Sequence, residues 1–258
     1  MAGFLALDLY FVFIPSILGN PFLQFGAYLI FFPLAYFIAK WVGLNGLKGM
    51  GLVFHRGWLK NFIFSFWIGF SFWILMFVIQ LLSGDLLWNG VLKSSELLMP
   101  LLMIIVGFFI GSFINDMIVR GFVINLLKDK LHVGWVYTIS ILIYALDDYW
   151  YAGFSVSNVI FSVILGLSLT YAFYRSGSIW ADTGIHYGLN VAYGLFFGMV
   201  GSPGTSIFII KEAVNQSLLS EVLYFFIPTL MFFAVLSVNK FYYHHKNDHK
   251  DFPFSLNT

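Results

Sequence analysis

Cysteine does not occur among the 258 residues, so disulfides and thiolate metal sites are excluded, and the redox compartment goes unreported. Charge is nearly as scarce. Asp, Glu, Lys and Arg together make up 10% of the chain, against roughly 25% in an ordinary soluble domain. A net charge of +1 provides no basic surface of the kind that nucleic acid requires. No basic region and no small-residue cleavage signature precedes the first apolar stretch, so residues 1–20 are expected to be retained.

What is present is apolar: 60% of the residues are hydrophobic, far too many for polar surface to cover. Stretches of about 20 such residues cross a roughly 30 Å hydrocarbon core as helices. Eight spans are expected, at about 2–18, 21–42, 61–83, 98–127, 133–151, 156–174, 178–200 and 219–240. The fold class is therefore an all-α polytopic membrane protein, a single transmembrane domain over residues 1–240 followed by a polar tail, 241–258. In that tail His244, His245 and His249 read as a solvated, frayed end rather than a metal site. A glycine-rich basic loop precedes the third span, a polar hairpin "LLKDKLH" joins the fourth to the fifth, and a longer loop precedes the eighth. The 32 phenylalanines read as lipid-facing or interfacial bulk, and the Gly107/Gly111 pair as helix-packing positions.

Basic residues are distributed unevenly between the two ends of such a bundle. Lys40, Lys48, Arg56, Lys60, Lys128, Lys130, Arg175, Lys240, Lys246 and Lys250 fall at one end, and Lys93 and Lys211 at the other. Under the positive-inside rule both termini are expected in the cytoplasm. Abundant Phe and Ile, Lys over Arg and the absence of organelle targeting point to a bacterial plasma membrane.

Against this apolar background the stretch "GSFINDMIVRGFVINLLKDK" carries Asn115, Asp116 and Arg120 at membrane depth. The hairpin near residues 128–132 makes the flanking helices antiparallel, so residues equally far from it lie side by side. At ~1.5 Å per residue Asn115 and Asp148 both stand roughly 20–24 Å from the hairpin and are expected to meet. By the same rise His186 stands about 16 Å from Arg175, with Asn190 one turn further along the same face. Asp116 and Arg120, at i and i+4, are placed to form an ion pair. Each of these residues alone reads equally well as a hydrogen bond between helices. Together they point to a functional site, because ionisable groups inside a membrane are costly.

The blocks "NDMIVRGF", "YALDD" and "GSIWADTGIHYGLN" resemble the three motifs of the CPBP family, also called Abi proteins, the bacterial relatives of type II CAAX prenyl endopeptidases. The resemblance covers roughly residues 98–200 and implies about eight membrane helices with an intramembrane endopeptidase site. The family motifs read EExxxR, FxxxH and HxxxN. Mapped onto this chain, the water-activating glutamate falls on Asn115 and the second glutamate on Asp116, with Arg120 retained. The first histidine falls on Asp148, with Tyr144 standing for the aromatic. The second histidine is matched by His186, and the oxyanion-stabilising asparagine by Asn190.

The resemblance thus assigns Asn115, Asp116, Arg120, Asp148, His186 and Asn190 to the catalytic positions, and Asp148 and His186 to a zinc site if there is one. An amide nitrogen is not basic, so Asn115 cannot take a proton from water. Two readings follow. One is a pseudoenzyme that binds a membrane protein, a lipid-modified peptide or membrane lipid in the former cleft. The other is a working endopeptidase, in protein maturation or bacteriocin self-immunity, in which Asp116 or Asp148 has become the base. Asp116 is rotated about 100° around the helix from Asn115, so the two substitutions favour the first. A third reading is a small transporter with Asp8, Asp116, Asp148 and Asp182 along a polar path, but no inverted repeat is visible.

Overall fold

The computed structural model describes residues 2–147, 154–199 and 204–243. Eight long helices occur among them at the eight expected positions: α1 Ala2–Ile17, α2 Pro21–Trp41, α3 Trp58–Ser83, α4 Leu98–Leu127, α5 Val133–Asp147, α6 Val156–Ser176, α7 Ile179–Phe197 and α8 Leu218–Ser237. Helices α2, α3, α4, α6 and α8 are long and apolar enough to cross a membrane, and α1 and α5 are shorter apolar helices. The chain is a multi-pass, helical membrane protein. Its helix ends follow local chemistry. Asn20 caps α2 by accepting from the Phe22 amide, with Pro21 at the first helical position. Ser155 caps α6 in the same way, and Gly177 in the left-handed region (φ 68°) turns the chain into α7.

Helix α7 lies at the centre, packed most extensively on α3 and flanked by α4 and α6. Small residues set that packing. A Cβ at Gly188 would strike the Phe66 carbonyl oxygen, one at Gly184 the Phe62 carbonyl oxygen, and one at Gly69 the Ile185 carbonyl oxygen. Close backbone approach of this kind drives helix association where lipid is as apolar as leucine. The sequence expectation for glycine is corrected here. Gly107 meets only the flexible Met199 side chain, and around Gly111 nothing lies within 4 Å.

Helix α4 contains two π-turns, Met103–Gly107 and Met117–Phe122. The second carries Arg120, and neighbouring side chains bond its loosened backbone. Ser140 of α5 donates to the Val119 carbonyl at 2.9 Å, and Asn125 donates to that of Gly121 at 2.8 Å. Such turns cluster at functional sites.

Both ends of the bundle are more ordered than their loop composition suggests. At one end β1 Leu86–Val91 pairs antiparallel with β2 Phe208–Glu212, adding a two-stranded sheet to the helices. Beside it the Asp85 carboxylate accepts from the hydroxyl and amide of Ser217 and the hydroxyls of Ser83 and Ser220, at 2.6–2.9 Å. These donors, Ser217 foremost, hold its carboxyl far below the usual carboxylate range and fasten α3 to α8.

At the other end the glycine-rich loop folds inward. Met50 is buried beneath α4 at Gly121, Gly51 accepts from the Ile179 amide, and Val53 accepts from the Trp180 indole. Packing also continues past residue 240. Tyr243 exchanges backbone hydrogen bonds with the Asn61 side chain, and buried Tyr242 accepts from Ser65 at 3.0 Å. The tail histidines lie outside the described residues.

Candidate functional site

Helices α4, α5 and α7 bring one polar group together inside the bundle. Asp116 and Arg120 form the expected i,i+4 ion pair at 2.7 Å, and neither side chain has any solvent exposure. The same Asp116 oxygen, Oδ1, accepts from His186 Nδ1 at 3.1 Å. Asp116 thus turns to α7 as well as to Arg120, whereas Asn115 turns to α5. A carboxylate paired with arginine only accepts, so His186 donates from Nδ1. In the neutral ring the lone pair then lies on Nε2.

The arginine is held on a third side by the Tyr144 ring, 4.1 Å from guanidinium carbon to ring centre, and Tyr144 meets His186 edge-on at 5.9 Å. Asn115 is engaged at both ends of its amide. Its Nδ2 donates to Asp147 Oδ2 at 2.7 Å, and its Oδ1 accepts from Arg120 at 3.4 Å. Asn190 donates to Ser112 of α4 at 3.0 Å, one turn beyond His186.

Asn115, Asp116, Arg120, His186 and Asn190 are therefore neighbours, while Asp148 lies outside the described residues. The described partner of Asn115 is Asp147, a residue the sequence reading passed over. The π-turn between Asn115 and the hairpin spreads an extra residue around the helix, so α4 climbs less than a regular helix would, which suits a contact with Asp147. The Asp147–Asp148 doublet carried the signal for Asp147. Ser112 carried none.

A zinc ion would need further ligands beside His186, whose Nδ1 is committed to Asp116. Among the described residues no three His, Asp or Glu side chains are grouped to hold a metal ion. The described donors do not make a zinc site.

The fold and this enclosed centre define a class: polytopic helical membrane proteins with ionisable groups gathered from three spans at membrane depth. Comparison with known families gives the class a name. Residues 97–192, which include all three blocks, match the family model described as type II CAAX prenyl endopeptidase Rce1-like. That stretch is a CAAX-protease-like segment, in agreement with the CPBP resemblance. No curated protein matches the chain.

Proposed function

We propose that this chain is a catalytically impaired relative of the CAAX-type intramembrane endopeptidases, which binds a membrane protein or peptide partner in the former cleft. The observation that carries the reading is Asn115. At the position where the family resemblance places the activating glutamate stands an amide without basicity, bound at one end by Asp147 and at the other by Arg120. An amide has no basic lone pair, so Asn115 does not take a proton from water. Because general-base catalysis contributes about 10²–10⁴-fold, purified protein is expected to leave farnesylated and unmodified peptides intact. Asn115→Glu with Asp148→His should restore cleavage. Robust turnover by the unaltered protein would overturn the proposal.

One observation favours the alternative of an active endopeptidase. The Asp116–His186 bond gives His186 an orienting carboxylate and points an imidazole lone pair away from it, the arrangement of a general base. On that reading turnover is present and is lost in both Asp116→Asn and His186→Ala.

Abundant Phe and Ile and the preference for Lys over Arg support a bacterial plasma membrane location, and the uneven distribution of lysine and arginine supports both termini in the cytoplasm. The absence of native cysteine makes the test direct. In intact cells a single cysteine replacing Lys93 should react with an impermeant maleimide and one replacing Lys48 should not. The reverse pattern would invert the topology.

A further inference from the structure

Next to the ion pair lies a set of buried polar atoms that protein groups do not satisfy. Asp182, in the first turn of α7 and one turn before His186, is fully buried, and neither carboxylate oxygen has a hydrogen-bond partner. The backbone N–H groups of Asp182 and Thr183 lie beside it without reaching hydrogen-bond geometry. Thr183, also fully buried, has an unpartnered hydroxyl. In the ion pair to which His186 connects this turn, Arg120 has used Nη1 on Asp116 and Asn115 and leaves Nε and Nη2 without acceptors, while Asp116 leaves Oδ2 without a donor. Asp182 lies within electrostatic reach of both Asp116 and Arg120, and Tyr242 is within the same reach from the side sealed by the C-terminal segment.

These six atoms belong to the ion pair and to the turn of α7 that His186 joins to it, and the large majority of buried side-chain polar atoms in native proteins are paired, with protein or with ordered water. Their chemistry selects the species. Two are N–H donors and four are oxygens. A cation would satisfy the oxygens but would be repelled by Arg120 and leave its N–H groups bare. An anion would satisfy Arg120 and be repelled by both carboxylates. Water donates and accepts, and takes two to four such partners.

We infer that Asp182, Thr183 and the unpaired edge of Arg120 enclose bound water, and that this water joins Asp182 to the Asp116–Arg120–His186 group as a positioning residue. The inference is independent of whether the centre cleaves peptide. It gives His186 two carboxylate neighbours, Asp116 directly and Asp182 through solvent.

The test uses the full chain in nanodiscs. A high-resolution structure should show water within hydrogen-bond distance of Asp182 and Arg120 together. A dry space, or Asp182 swung into direct contact with Arg120, would overturn the inference. In solution Thr183→Val, which removes one water partner without changing charge or shape, should lower the melting temperature by on the order of 3 °C. Asp182→Asn should shift the ¹⁵N resonances of the His186 ring, and Asp182→Leu should lower stability further than Asp182→Asn. Unchanged His186 resonances in Asp182→Asn would show that the carboxylate is not joined to the centre. A melting temperature that rises with sodium but not with choline, and only when Asp182 is intact, would assign the space to a cation instead.

Discussion

Gly188→Ala should cost the protein most of its stability in detergent, roughly 3 kcal/mol or more, although it adds a single methyl group. The new Cβ would collide with the Phe66 carbonyl oxygen and stand 2.9 Å from the Phe70 amide nitrogen. Both are backbone atoms of α3, so no side-chain rotation relieves the clash, and α3 and α7 must separate along the seam that also holds Gly69 and Gly184. The control is Gly111→Ala. Nothing lies within 4 Å of its Cβ, and alanine is the better helix former by up to about 1 kcal/mol, so that variant should be neutral or slightly more stable. Unfolding followed by tryptophan fluorescence against added denaturing detergent measures both. Equal stability of Gly188→Ala and the parent would mean that the two helices are not in the contact described.

Asp116→Ala comes second, with an expected loss of roughly 3–5 kcal/mol. Both members of the pair are fully buried, so solvent screening does not discount the effect. Removing the carboxylate leaves Arg120 without its charged partner and His186 Nδ1 without its acceptor. The penalty comes from the stranded charge more than from the lost bond. Replacing both partners, as in Asp116→Leu with Arg120→Met, should therefore recover a large part of it. Thermal unfolding of the three variants against the parent decides the matter. Should Asp116→Ala melt with the parent, the pair is not structural.

The spans were legible in the sequence because membrane helices announce themselves by length and apolarity, the two properties a bilayer demands. The motif residues were legible because polar side chains are rare at that depth, and Asn115, Asp116, Arg120, His186 and Asn190 do share one neighbourhood. Finer features were hidden for identifiable reasons. That Asp147 also reaches Asn115 was hidden because regular rise ignores the π-turn in α4. The Gly184/Gly188 seam was obscured by the motif it sits in, since chemistry drew attention to His186 between them. The strands β1 and β2 are short and distant in sequence, so neither shows a pattern until its partner is known. Tyr242 was read with the polar tail that follows it, although the aromatic ring belongs to the core.

The central position of α7 also bears on how the protein is made. It is the one helix of span length among the described residues that is not apolar enough to qualify as a membrane span by itself. Asp182, His186 and Asn190 would each resist entry into lipid from the translocon, by up to roughly 2.5–3.5 kcal/mol for the aspartate. The helix becomes tolerable in the bilayer only where α3 offers the complementary groove and α4 offers Arg120 and Asp116 as polar partners. Both precede it in the chain. Synthesis from the N-terminus therefore delivers the receiving surface before the helix that needs it, and α7 emerging alone would be expected to stay outside the membrane.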